Sequence, residues 1–227
     1  MKLSVLFLVF IYSVNSVAQK SDTIFLQRTV SNSPYPEYFA IYIDTGAHIK
    51  KQLTDFSFSH YDSATYFEQL TSLRPLKYKK TIPANFPRKW IALYQLKGKN
   101  YLYSPCDWGY HFRFEITDST TINYTMEGPE PSRIDQISFP TKTKTIIEGT
   151  NYWEGKHVEI KLVDTVKGIA VISFGPTKYR NRWNRVLMVD AKKAYLFPVI
   201  VNYCPTSKAH EMDFDTIDFD SLLKQKR

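Results

Sequence analysis

His111, Arg113 and Glu115 alternate along one short stretch, and His157, Glu159 and Lys161 repeat the arrangement further on. A histidine beside a carboxylate can accept or deliver a proton, and a neighbouring cation steadies the charge that develops. Residues two apart in a strand project in parallel, so each set shares a face without converging on one point. Both sets are expected on a solvated outer face. The alternative makes His111 and Glu115 the catalytic pair of a hydrolase or isomerase whose polar groups meet inside a cavity.

Other chemistry-bearing patterns are weaker. Glu211, Asp213, Asp215, Asp218 and Asp220 gather carboxylate oxygens of the kind calcium takes. Their spacing departs from the EF-hand loop and no glycine bends the chain around an ion, so no metal is expected. Phe214, Ile217 and Phe219 point instead to a terminal segment that docks its apolar residues and leaves its acids wet. The five histidines offer no His-x-x-x-His zinc spacing. Neither a Gly-x-Ser-x-Gly elbow, nor a phosphate loop, nor a dinucleotide fingerprint is present, and no cofactor is expected. Asn123-Tyr124-Thr125 fits a glycosylation acceptor.

Basic residues cluster between Arg74 and Lys99, and again at Lys178, Arg180, Arg182 and Arg185, in a chain of formal net charge +8. Interleaved Tyr78, Trp90, Tyr94, Tyr179 and Trp183 would suit a nucleic-acid surface, since cations hold phosphates and aromatics stack bases. Export argues against nucleic acid. An anionic envelope or polysaccharide surface is the alternative partner.

The case for export lies at the N-terminus. Lys2, an apolar run from Leu3 to Val14, and the small residues Ser16 and Ala18 have the layout of a secretory signal, with cleavage expected between Ala18 and Gln19. Tyr12, Ser13 and Asn15 interrupt the run too early for a bilayer span, and the apolar run from Tyr195 to Tyr203 is also too short. The mature chain is therefore expected to be secreted or periplasmic, without a transmembrane segment. Cys106 and Cys204 are the two cysteines, and in an oxidising compartment they are expected to pair.

These residues must be positioned by strands. Residues 24–30 and 38–43 are short β-branched and aromatic runs, and from Asp62 to Arg74 the apolar spacing of three and four predicts one helix, opened by a Thr65/Glu68 capping box and stopped by Pro75. Ten strand-like runs then follow, near 89–97, 100–104, 110–117, 121–126, 134–139, 143–149, 157–163, 168–174, 184–190 and 194–203. Turn residues separate them, Gly128 to Pro131 among these breaks. Phe112, Phe114 and Ile116 form the dry side of one run, and Val158, Ile160 and Leu162 that of another.

The fold class predicted is mainly β: an antiparallel meander closed into a barrel or strongly curved sheet, which hides the apolar face and removes open edges, with one N-terminal helix. A Cys106–Cys204 bridge would tie the meander's start to its finish. Four segments follow: 1–18 signal peptide; 19–88 strands, helix and irregular connection packed on the barrel; 89–204 barrel; 205–227 acidic C-terminal segment. Residues 89–204, with their consecutive hairpins, aromatic interior and exported setting, resemble the lipocalin-like or calycin barrels. Where that group carries an early Gly-x-Trp, this chain has Arg88-Lys89-Trp90, and Trp108-Gly109 holds the two residues in reverse order. The resemblance implies noncovalent binding of a small apolar or amphipathic ligand. Phe112, Phe114, Tyr124 and Phe197 are the expected walls, and Trp108, Tyr179, Arg182 and Trp183 the expected mouth.

Overall fold

The computed structural model describes residues 24–30, 38–73, 82–83, 86–107, 111–125, 127–151, 155–176, 181–205 and 210–224. Residues 1–18, expected as a signal peptide, and Trp108 and Tyr179, expected at the mouth, lie outside them.

The chain opens with the antiparallel pair β1 (Ile24–Val30) and β2 (Tyr38–Asp44), then two helices, α1 (Ala47–Leu53) and α2 (His60–Ser72). The strands that follow are β3 (Lys89–Ala92), β4 (Tyr94–Leu96), β5 (Lys99–Ser104), β6 (Arg113–Ile116), β7 (Thr120–Thr125), β8 (Gly128–Thr141) and β9 (Lys144–Thr150). Next come β10 (Gly155–Asp164), β11 (Ile169–Phe174), β12 (Asn184–Asp190), a 3-10 turn (Ala191–Leu196), β13 (Val199–Tyr203) and α3 (Phe219–Lys224).

Eight of these strands close into an antiparallel barrel in the order β10-β11-β12-β3-β6-β7-β8-β9. The seam is β3 against β12, with Met188 opposite Ala92 and Asp190 opposite Trp90. The barrel's inner face supplies one core cluster, including Trp90, Phe114, Ile116, Ile147, Val158, Ile160, Ile172 and Met188. Each large side chain so enclosed stabilises the fold by about 1.5–3 kcal/mol. The indole N–H of Trp90 is satisfied by the Pro87 carbonyl at 3.1 Å. The centre of the barrel is therefore filled with side chains.

The meander is not continuous. Residues 89–97, expected as one strand, are two: after β3 the chain leaves the barrel at Leu93, and β4 and β5 join a second sheet of order β1-β2-β13-β5-β4. There β13 runs parallel to β5, with Ile200 opposite Tyr103, and antiparallel to β2. Residues 191–196 coil into the 3-10 turn, because the Asp190 side chain accepts the Lys192 N–H and Pro198 cannot donate to a ladder. Gly128 to Pro131, expected as a turn, begin β8 instead; Pro129 and Pro131 stand opposite Tyr124 and Ile122.

The middle of the second sheet, at β13 and β5, is covered on both faces. Leu102, Val199 and Val201 pack with Ile91, Ile122, Val171, Leu187 and Val189 from the outer side of the barrel, together with Leu53 and Phe56. On the other face Ile41, Tyr101, Tyr103 and Ile200 meet Met212 and Phe214 of the C-terminal segment. Phe219 and Leu222 continue onto the first of these clusters while Asp213, Asp215, Asp218 and Asp220 stay exposed.

Cys106 and Cys204 are bonded, with Cα atoms 5.8 Å apart. They follow β5 and β13, so the bridge clamps two parallel neighbours of the second sheet and does not clasp the barrel seam. Glu211 completes this corner: its carboxylate accepts the Tyr103 hydroxyl, the Asp107 N–H at 2.7 Å and the Asn202 amide at 3.2 Å. Burial, with the Glu211 contact behind it, raises the Tyr103 phenol well above its ordinary range.

Candidate functional site

Inward-facing positions follow from the register. Asn123 on β7 stands opposite Phe114, and Glu130 on β8 opposite Asn123. Lys156 on β10 precedes Val158 and Ile160 on the same face, opposite Gly149 on β9. A side chain at 149 could not be accommodated, since its Cβ would lie 2.4 Å from the Arg133 carbonyl oxygen. Asn123 lies near the end of β7, Glu130 and Lys156 near the starts of β8 and β10, and Asn151 follows β9, so all four gather at one end of the barrel.

They line a cavity of about 390 Å³ with Ser132, Pro131 and four residues of α2: Thr65, Glu68, Gln69 and Ser72. The helix is started by a capping box in which Ser59 accepts the Asp62 N–H and the Asp62 carboxylate accepts the Ser59 N–H. That box lies one turn and a half before the Thr65/Glu68 pair expected to open it. Gly128 takes the left-handed φ of 108° where the β7–β8 turn meets Asp62 and Thr65 of the helix. None of α2 is fully buried, and its contribution here is one wall of the cavity.

Lys156 is the chemical centre of this space. Its amine is 3.4 Å from the Ser132 hydroxyl and 5.7 Å from the centre of the Phe174 ring, and it belongs to no ion pair within 4.0 Å among the described residues. Loss of water lowers its pKa to about 8, with the more distant Glu130 pulling the other way. Glu130 at the rim is itself raised, first by desolvation and then by Glu127, against the pull of Lys156. The Asn123 side-chain oxygen is buried without a hydrogen-bond partner. The cavity thus offers an amine short of acceptors and an amide oxygen short of a donor, both of which a bound molecule could satisfy.

The residues singled out from sequence are distributed differently. Phe112 and Phe114 face the filled interior, in edge contact with Phe174. Tyr124 and Phe197 belong to the cluster outside the barrel. Arg182 and Trp183 are exposed in the connection between β11 and β12, at the same end as the cavity but outside its lining, and Trp183 stands edge-on to His157 at 5.3 Å. His157 bridges Glu148 at 2.6 Å and Glu159 at 3.4 Å on the outer face, and Lys144 holds Glu159 at 3.0 Å.

His111, Arg113 and Glu115 do face outward, but not into open water. His111 is buried and precedes β6; its Nε2 donates to the Leu53 carbonyl at 3.1 Å. Arg113 donates to the Asp55 carbonyl and lies over the Tyr124 ring at 4.5 Å. The Tyr124 hydroxyl bridges the Glu115 carboxylate and the Phe56 carbonyl. Three side chains of the barrel wall thereby bind the backbone that links α1 to α2. Burial, and then the charge of Arg113, lower the His111 pKa to about 4. His111 and Glu115 do not meet in a cavity; each is committed to this strap.

Sequence reasoning did not select Lys156 or Glu130, and it singled out Asn123 only as a glycosylation acceptor, whereas the side chain lines the cavity. One signal was available: the alternation of Val158, Ile160 and Leu162, extended one step back, places Lys156 on the dry face.

No protein-family model, curated protein or solved structure matches the chain. The architecture is that of a closed eight-stranded antiparallel barrel, and no helix among the described residues is long and apolar enough to cross a membrane.

Proposed function

We propose that this protein is a secreted or periplasmic binding protein that holds a small amphipathic carboxylate at the mouth of its barrel. The observation that carries the reading is the Lys156 amine, held in a cavity of about 390 Å³ with no carboxylate within ion-pairing distance. That volume suits a small molecule. A charge-assisted bond to the amine is worth roughly 1.5–3 kcal/mol where water is excluded. The Asn123 amide oxygen accepts from a donor on the ligand, and Thr65 and Gln69 close over it from α2. The disulfide supports an oxidising compartment. A lipocalin-like role is supported by the barrel and its mouth cavity; the packed centre favours a ligand seated at the rim over one swallowed whole.

Calorimetric titration with hexanoate and with hexanol tests the reading. Hexanoate is expected to bind and hexanol to bind at least tenfold more weakly, with the preference lost in Lys156→Met. Equal affinities for the two, or a Lys156→Met protein that still prefers the acid, would overturn it.

A further inference from the structure

The opposite end of the barrel carries a different kind of surface. Successive hairpins of an antiparallel barrel alternate between its ends. The β7–β8 and β9–β10 connections flank the cavity, so the β10–β11 turn at 165–168 and the 3-10 turn that follows β12 lie at the far end. There the Lys193 amine donates to the carbonyls of Thr165 and Val166, at 3.0 and 2.7 Å. The Lys50 amine of α1 donates to the Tyr195 carbonyl at 3.3 Å. These bonds join α1, the β10–β11 turn and the 3-10 turn into one surface.

Two properties coincide on it. Lys50, Lys51, Lys167, Lys192 and Lys193 form no ion pair with a carboxylate within 4.0 Å among the described residues. The two acids in these turns face the backbone: Asp164 accepts the Lys167 N–H at 2.9 Å and Asp190 accepts the Lys192 N–H at 3.1 Å. Among the lysines stand three apolar residues open to solvent, Val166 at 82%, Tyr195 at 69% and Leu196 at 46% exposure.

We propose that this end of the barrel docks on an anionic phospholipid surface, with Val166, Tyr195 and Leu196 entering the headgroup region and the lysines pairing with lipid phosphates. The charge is complementary to an acidic bilayer, and lysine stems allow the amines to reach the headgroups while the apolar side chains lie deeper. A soluble polyanion would satisfy the cations but gives the apolar residues nothing to enter, which is why the lipid is the favoured partner. The cavity would then open away from the membrane.

The test is co-sedimentation of the full chain with vesicles of phosphatidylcholine alone and of an equal mixture with phosphatidylglycerol. Binding is expected to the mixed vesicles only, and to weaken as salt is added. Replacing Lys51, Lys167 and Lys192 by glutamine should weaken it on the order of a hundredfold, at about fivefold per lysine. Val166→Ser with Leu196→Ser should also weaken vesicle binding, while any binding to dextran sulfate stays unchanged. Lys156→Met should leave vesicle binding intact, which separates this surface from the cavity. Equal binding to both vesicle types, no binding to either, or binding to dextran sulfate without binding to vesicles overturns the proposal.

Discussion

The Tyr124 hydroxyl and the Glu115 carboxylate lie 2.7 Å apart on neighbouring strands, outside the barrel and beneath the segment that joins α1 to α2. The pair fastens that segment, because the same hydroxyl reaches the Phe56 carbonyl at 3.1 Å. Burial, aided by the Glu115 contact, raises the Tyr124 phenol beyond its ordinary range, so it remains a donor at any physiological pH.

Tyr124→Phe keeps the ring, its edge contact with Phe56 and its place under Arg113, and removes only the hydroxyl. A loss of about 1–2 kcal/mol is expected, the cost of removing the single proton that the Glu115 carboxylate and the buried Phe56 carbonyl share. Urea denaturation measures it. Hydrogen exchange at residues 54–59 should speed up while the interior strands stay protected.

His111 makes the fold acid-sensitive. Its folded pKa of about 4 lies below its ordinary value of 6.5, so the unfolded chain takes up the proton first as pH falls. The stability held above pH 6.5 is therefore lost progressively towards pH 4, by an amount on the order of 2–3 kcal/mol. His111→Gln retains a donor for the Leu53 carbonyl without the titration. Its denaturation midpoint should fall less than that of the wild type between pH 7 and pH 4; parallel curves would show that the histidine is not responsible.

Lys156 carries a stability cost that function would explain. Lys156→Met removes a half-buried cation with no ion-paired carboxylate and should stabilise the protein by about 1–3 kcal/mol, read as a raised Tm. Binding of an anion favours the protonated amine, so the affinity for hexanoate should decline as pH rises through about 8. A flat affinity from pH 7 to pH 9 would place the carboxylate elsewhere.

Much of the architecture was legible in the sequence. The runs at 24–30 and 38–43 and the helical spacing of Tyr66, Phe67, Leu70 and Leu73 announce elements that form because local chemistry and tertiary packing agree. The switch at Leu93 was not legible: an apolar alternation reads the same whether a strand stays in one sheet or passes to another. Ser59 and Asp62 escaped notice as a cap because the apolar period begins only at Tyr66. Pro129 and Pro131 suggested a turn, yet β8 admits them at its start, where it pairs with β7 alone and its pairing with β9 begins only at Arg133. The aromatic residues expected to form a ligand wall showed that they would be buried but not on which side, since Phe114 and Tyr124 differ only in the direction of a pleat. Lys156, Glu130 and Asn123 are brought together by the register of four strands, which no local pattern encodes.

Opening the Cys106–Cys204 bond tests the second sheet separately from the barrel. The two residues are 98 apart, and a loop of that size gives about 4–5 kcal/mol as the upper figure for chain entropy. A Cys106→Ser, Cys204→Ser protein should be less stable in urea by up to that amount. Its greatest gain in hydrogen exchange should fall at β5, β13 and residues 210–215, with β7 to β11 less affected.

The order in which the fold can assemble follows from β3. Its partner across the seam is β12, roughly a hundred residues later, and β2 likewise waits for β13. The run from β6 to β12 can zip by neighbouring hairpins, but the ring cannot shut, nor the leading strands find their places, until nearly all of the polypeptide is present. A ribosome-bound chain ending before residue 190 should therefore be an open sheet, sensitive to protease at both borders.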